Sequence, residues 1–506
     1  GSAASLQLAV GVTSGAVFAG PIGSPSRREY TVMGDPVNLA SRLMEQAGPR
    51  SVLCDFATYR QVRGQVAMSG LRPLRVKGKA GLVRVYRPEA SPIPTAPRAG
   101  TGGGEWAAQR PLVGRQDEMA RIAAGLDAVE AGQGRLLIIE GEAGIGKSRL
   151  VAELTRLARE RGLAWLLGAA QSIEQQTPYR AWRDILSFYF GLDESAPPDE
   201  RRARVERLVG DVAPDQAARL PLLNDILTLA IAENEVTASL DPALRQQGLF
   251  LLVTSLLRAW AHERPLLLIL EDAHWMDSLS WELTRHAVRA LGAAGAAFLI
   301  VLATRPMDEA ARGANALSAL RAQAETLSLA TLSAEETVAL VTTRLGLPQG
   351  TLPEELADLV RRQAGGNPFF AEELIFTLRD QGLIEVSPPG CRIVGSLTES
   401  ARTLPDTVQG LILARIDRLP PERQLALKMA AVIGRTFAFP ALHSLWSQHT
   451  SLAEAALQGH LDALATLDLT PLDSVEPDRI YFFKHIITQE VAYGTLLFAQ
   501  RRALHR

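Results

Sequence analysis

Apolar positions recur with two different periods along this chain. Over residues 1–88, short β-like runs (LQLAVGV, REYTVMG, LVRVYR) frame one helical stretch, PVNLASRLMEQAG, in which Val37, Leu39, Ala40, Leu43 and Met44 share a stripe. This pattern predicts an α/β or α+β unit. Residues 89–110 have no period and are rich in Pro, Gly, Ser and Thr, which predicts a flexible linker and a domain boundary. From Pro111 the order becomes helix, strand (RLLIIEG), helix, two long helical stretches, strand (PLLLILED), helix and strand (FLIVLAT). Strands that are apolar throughout, set between helices, predict a parallel sheet covered on both faces. Beyond about residue 310 helices such as SAEETVALVTTRLG and PPERQLALKMAAVIG dominate. Two short β pairs interrupt them, LIEVSPPGCRIV and LTPLDSVEPDRIYFFK, each after a helix, as a winged helix would read. The expected architecture is multidomain α/β: a first domain over 1–88, a linker over 89–110, a sheet domain over 111–310, a helical lid with the first β pair over 311–400, and a winged-helix-like region over 401–506.

Composition agrees with folded material. The chain has 506 residues, 47% of them hydrophobic and 21% charged, which excludes a largely disordered or collagen-like polymer and allows about three domains at ~150 residues each. The longest apolar stretch, LGAAGAAFLIVLAT over 291–304, is shorter than the ~18 residues of a membrane helix and is bracketed by Arg289 and Arg305. Its 53 Lys+Arg against 55 Asp+Glu leave a net charge of −2, with no general basic footprint for nucleic acid. Two cysteines, Cys54 and Cys391, supply neither a disulfide framework nor a zinc cluster. A cytoplasmic location is the expectation. The chain opens GSAASLQLAVGV inside a strand-like run and stops at RRALHR, so it reads as a piece of something longer.

The strongest local motif is GEAGIGKS at 141–148, of the form G-x-x-x-x-G-K-[ST], directly after RLLIIE and before RLVAELTRLARE. Gly141, Gly144 and Gly146 let backbone N–H groups turn toward phosphate oxygens, Lys147 supplies charge to the β and γ phosphates, and the Ser148 hydroxyl faces Mg²⁺. Roughly 120 residues on, LLLILEDAHWMD ends a buried strand in Glu271 and Asp272, acids placed to hold Mg²⁺ through water and to polarise an attacking water. The order is Glu then Asp, so the pair is assigned and the individual roles are not. The next strand ends in Thr304 and Arg305, suited to sensing a γ-phosphate.

With PLVGRQDEM, ATRP, GGNPFF and FKHIITQEVAYGTLL, these motifs resemble, in order, the AAA-related signal-transduction ATPases called STAND, over roughly residues 111–506. The resemblance implies that Gly114 and Arg115 lie near base and ribose, that Pro368 touches adenine, that His485 reaches the β-phosphate, and that a winged-helix region closes over the nucleotide.

The amino-terminal residues carry a second resemblance. GVTSGAVFAGPIG, REYTVMGDPVNLASRL and LRVKGKAGLVRVY resemble the carboxy-terminal half of a class III adenylyl/guanylyl cyclase catalytic domain. By position, the resemblance makes Asn38 and Arg42 the pair that orients the ribose and stabilises the transition-state phosphate. Their spacing of four puts both on one helix face. It likewise makes Lys77 the residue that reaches the terminal phosphates and Thr31 the one that reads the purine, as in soluble bacterial-type adenylyl cyclases. Gly34 and Asp35 belong to the family's G-D-x-V-N turn. The family's metal-binding aspartates and purine-contacting lysine lie upstream of the matched segment, and residues 1–30 hold no pair of acids to replace them. The chain by itself is therefore expected to be inactive as a cyclase. Cyclase half, linker, ATPase and winged helix in this order resemble multidomain soluble adenylyl cyclases and bacterial relatives. The implied activity is conversion of ATP to 3′,5′-cyclic AMP with Mg²⁺ or Mn²⁺, regulated by the ATP-binding module, with a second cyclase domain or a second copy as partner. The alternative is an ATP-switched signalling or transcription regulator with a non-catalytic cyclase remnant.

Overall fold

The computed structural model describes residues 9–24, 27–47, 51–62, 68–71, 74–76, 82–88, 111–192, 196–307, 313–387, 390–395, 397, 405, 407–450, 454–474 and 478–505. The expected linker at 89–110 and Lys77 lie outside the described residues.

In the amino-terminal segment, strand Ala9–Val12 pairs in parallel with Ser51–Asp55, which runs antiparallel to Val85–Pro88, itself antiparallel to Met68–Gly70. A separate ribbon joins Phe18–Ser24 to Arg27–Met33. The helix Asp35–Gln46 begins where Pro36 can occupy the first turn without losing a helical hydrogen bond. Its buried seam is narrower than the expected stripe: Leu39 and Leu43 are enclosed, whereas Val37 and Met44 are exposed. The helix packs on Ala9–Val12, and the contact is close because residue 11 is glycine. A Cβ at Gly11 would sit 2.0 Å from the Ala40 carbonyl oxygen and 2.6 Å from the Met44 nitrogen.

The second unit is built on five strands, all parallel, in the spatial order Trp165–Ala169, Leu266–Glu271, Phe298–Thr304, Arg135–Glu140, Glu325–Ser328. The expected strands are all present, and Trp165–Ala169 and Glu325–Ser328 are added at the edges. Leu266–Glu271 and Phe298–Thr304 are buried at every position, as a sheet with helices on both faces requires. Leu136, Ile138, Leu268, Leu270, Ile300 and Leu302 join one core, and Leu137, Ile139, Leu267, Ile269, Leu299 and Val301 the other. That alternation is the period-two geometry of strands.

Helices Ala334–Arg344, Glu354–Ala364 and Pro368–Asp380 and the hairpin Ile384–Ser387/Gly390–Ile393 follow, around Leu356, Val360, Leu374 and Ile375. The final unit holds helices Val408–Asp417, Pro421–Ile433, Phe439–His449, Glu454–Thr466 and Ile486–Gly494. Its small sheet places Ile480–Phe482 between Thr436–Ala438 and Leu472–Ser474. Its core includes Phe369 from the preceding helix and packs against Ala143 of the glycine-rich loop. Between these units Phe376 is ringed by Lys484, Arg379, Arg344 and Arg415, whose charged groups lie 4.8, 4.9, 5.1 and 5.6 Å from the ring centre. Glu372, Glu373, Asp380 and Asp468 are the counter-ions. Among the described residues no helix is long and apolar enough to cross a membrane.

Candidate functional site

The loop 141–148 leaves the central sheet at Glu140 and enters the helix Lys147–Glu160. Gly144 and Gly146 have φ of 77° and 107°, values that side chains resist, and they turn the loop around the helix N-terminus. Lys147 is buried and donates to the carbonyls of Gly141 at 2.8 Å and Glu142 at 2.9 Å. Burial lowers its pKa to about 8, opposed mainly by the charge of Asp272 and reinforced by Arg305.

Glu271 closes its strand next to this loop. Its carboxylate accepts from the Ser148 hydroxyl and pairs with Arg435 Nη1 at 3.3 Å. Asp272 follows in the left-handed region, φ 51°, which turns it off the strand toward Lys147 and Arg305. Burial raises both carboxyl pKa values, with Arg435 as the leading opposing charge on each. The two acids, undifferentiated by sequence, thus have different neighbours. Arg305, one residue beyond Phe298–Thr304, pairs with Glu490 at 3.6 Å and lies over the Trp275 ring at 5.0 Å. His274 is held neutral: burial, then Arg305 and Lys147, push it down to about 3, and both ring nitrogens are buried without a hydrogen-bond partner among the described residues. Two carboxylates and a hydroxyl converge here, an all-oxygen set that fits a hard divalent ion.

Other expected residues frame the loop. Arg115, itself left-handed at φ 69°, pairs with Glu118 and donates to the carbonyls of Ile145 at 3.3 Å and Ala330 at 2.5 Å. Pro368 starts its helix beside the loop, and its neighbours make the contacts: the Phe369 N–H donates to the Gly144 carbonyl at 3.3 Å. The Asn367 amide donates to the Ala143 carbonyl at 3.0 Å, and its oxygen caps the helix by accepting from Phe369 and Phe370. His485 caps the helix Ile486–Gly494 by position, with its ring 4.1 Å from that of Phe369. Asn367, His274, Arg435 and Glu490 were not singled out from sequence. Only Asn367 had a local signal, an Asn-Pro step opening a helix.

In the amino-terminal segment, Asn38 and Arg42 stand one turn apart on the helix Asp35–Gln46, Asn38 exposed and Arg42 half-buried. Thr31 lies opposite Gly20 in the ribbon.

Comparison with known proteins finds a match for each of these two segments. Residues 2–87 match the adenylate and guanylate cyclase catalytic domain, residues 111–302 the AAA ATPase domain, and residues 333–392 a domain of unknown function. The chain thus joins a segment similar to the cyclase family to one similar to the AAA ATPase family. This cyclase–ATPase fusion is similar to an uncharacterized protein of Rhizobium meliloti (strain 1021), 26% identical over 519 residues, covering 99% of this chain and 46% of that one. It is also similar to adenylate cyclase type 10 of Mus musculus, 24% identical over 487 residues, covering 87% of this chain and 29% of the relative. The chain thus spans less than half the length of the curated relatives it matches. Among solved structures, the adenylyl cyclase CyaB from P. aeruginosa is 30% identical over 16% of this chain and 41% of that chain, with a TM-score of 0.16.

Proposed function

We propose that this fusion is part of an adenylate cyclase that converts ATP to 3′,5′-cyclic AMP and diphosphate, with the AAA domain as a separate, regulatory Mg·ATP site. The observation that carries the cyclase reading is the placement of Asn38 and Arg42 on one face of a helix laid against the sheet. Asn38 orients the ribose, so that its 3′-oxygen lies in line with the α-phosphorus. The fixed guanidinium of Arg42 stabilises the charge that develops as diphosphate leaves. Thr31 reads the purine, and Lys77 reaches the terminal phosphates. The remaining part of such a site comes from the metal-binding half of a cyclase domain and from a second cyclase domain or a second copy of the protein.

In the AAA domain, Lys147 holds the β and γ phosphates, Ser148 and Glu271 take the metal side, and Asp272 and Arg305 face the γ-phosphate. Arg115 and Pro368 flank the nucleoside. A divalent ion bound there, Mg²⁺ or Mn²⁺, supplies charge neutralisation between the phosphates. The experiment measures cyclic AMP formation and ATP binding in the full-length protein. Arg42→Ala is expected to lower the first by about 10²-fold or more and spare binding at the AAA site, and Lys147→Ala to weaken that binding roughly 10- to 100-fold. Undiminished cyclic AMP formation by Arg42→Ala refutes the cyclase assignment.

A further inference from the structure

Among the described residues, two ion pairs join the carboxy-terminal unit to the nucleotide domain, and their polarities are opposite. Arg435 Nη1 stands 3.3 Å from Glu271 Oε2, so there the carboxy-terminal unit contributes the cation. Arg305 Nη2 stands 3.6 Å from Glu490 Oε1, so there it contributes the anion. Both contributed groups belong to one packed body. The Arg435 carbonyl accepts from the Phe483 N–H at 2.8 Å. Gln489, next to Glu490, donates its amide to the Ala431 carbonyl at 2.8 Å, at the end of the helix that leads into Arg435. The two charges therefore enter and leave together.

What they touch is selective. Glu271 is the acid that also accepts from Ser148, and Arg305 directly follows the strand Phe298–Thr304, as the residue assigned above to the γ-phosphate. The groups on the nucleoside side have other partners: Arg115 is held by Glu118, Ile145 and Ala330. Arg435 is also unlike a purely structural arginine. Its Nε is buried with no hydrogen-bond partner among the described residues, whereas Arg415 is engaged by Glu373, Asp380 and the Leu467 carbonyl together.

We propose that Arg435 and Glu490 form a paired charge plug at the metal and γ-phosphate end of the site. Arg435 is a tethered cation that competes with a divalent ion for Glu271, and Glu490 a tethered anion that competes with the γ-phosphate for Arg305. This rests on reading residues 141–148 as a Mg·ATP site. Like charges cannot share one carboxylate oxygen or one guanidinium edge without repulsion. Metal-free ADP brings neither competitor, so it leaves both pairs intact. Mg·ATP brings both and has to displace the unit. Linkage makes this reciprocal: docking of the unit weakens Mg·ATP by the factor by which Mg·ATP weakens docking.

The test measures, by calorimetry on the whole 506-residue chain, the affinities of Mg·ATP and of ADP with chelator. Arg435→Ala and Glu490→Gln are each expected to tighten Mg·ATP roughly three- to tenfold and to leave ADP within about twofold. Arg435→Lys, which keeps the charge, should resemble wild type. Hydrogen exchange is the second readout: Mg·ATP should speed exchange of the helix Ile486–Gly494 in wild type, and ADP should not. Weaker Mg·ATP binding by Arg435→Ala overturns the proposal and makes Arg435 a phosphate ligand. Equal tightening of both nucleotides overturns it too. Failure of the underlying reading looks different: wild type and Lys147→Ala would then bind Mg·ATP with the same affinity.

Discussion

Arg415 Nη1 lies 2.6 Å from Glu373 Oε2 across 42 residues of sequence, and the two side chains are 4% and 3% exposed. This pair pins the helix Pro368–Asp380, which begins at the glycine-rich loop, to the helix Val408–Asp417 of the carboxy-terminal unit. A buried pair of this kind adds little over a well-packed apolar one, but losing one member strands a charge. Arg415→Met should therefore destabilise the protein by about 3–5 kcal/mol, and Glu373→Met in the same chain should restore most of that. Denaturant unfolding of the two single variants and the double variant gives the coupling directly. Additive losses would show that the two residues act independently.

The pH dependence of nucleotide binding follows from Lys147. Its pKa in the free site is about 8, below the usual 10.5, because burial disfavours the ammonium. Phosphate oxygens stabilise the ammonium, so binding raises that pKa and takes up a proton above pH 8. ATP affinity should be flat below about pH 7.5 and fall as pH rises through 8, by up to roughly tenfold per unit, until the bound-state pKa is reached. Calorimetry in two buffers of different ionisation enthalpy reads the proton uptake. No uptake at pH 9 would contradict this.

Asn367 does two jobs that can be separated. Asn367→Ala removes the helix cap and the tie to Ala143, costing about 1 kcal/mol of stability and roughly three- to tenfold in ATP affinity. Asn367→Asp keeps the capping oxygen but turns an acceptor against the Ala143 carbonyl. It should lose ATP affinity with little change in melting temperature. Unchanged affinity in Asn367→Asp would show that the amide contact does not shape the loop.

In a protein that carries both halves of the cyclase site, Asn38→Ala and Arg42→Ala should each lower kcat by about 10²-fold or more, with little change in KM, because both residues act on the transition state. Steady-state cyclic AMP formation over a range of ATP concentrations separates the two parameters. A wild-type kcat in either variant would remove that residue from the mechanism.

Much of this was legible in the chain itself. Runs such as PLLLILED and FLIVLAT, apolar throughout and set between helical stretches, read as doubly covered strands, and the glycine-rich loop lies where a strand meets a helix. The edge strands Trp165–Ala169 and Glu325–Ser328 escaped because one is a short apolar run that could equally sit in a buried helix, and the other has only four residues, two of them polar and exposed. The Val37 and Met44 positions show the converse: a stripe read from spacing reports what can be buried, and only Leu39 and Leu43 are. The contacts of Arg435 with Glu271 span 164 residues and leave no local trace. GGNPFF pointed to the right turn, and the resemblance drew attention to its proline for the adenine. The groups that touch the loop belong to the residues on either side of it, the Asn367 amide and the Phe369 N–H.

The close approach at Gly11 has a wider consequence for how this segment varies. Any side chain there must move the Ala40 carbonyl from 2.0 Å to the 3.4 Å of ordinary contact, carrying Asn38 and Arg42 on the same helix outward with it. Reacting groups displaced by about 1 Å can lose on the order of 10²-fold in rate. The vertical position of the proposed ribose and phosphate contacts is thus calibrated from below by a residue with no functional group. A sequence that keeps every polar residue of the motif and gains a single methyl at position 11 would pass a motif search and still hold its arginine out of range.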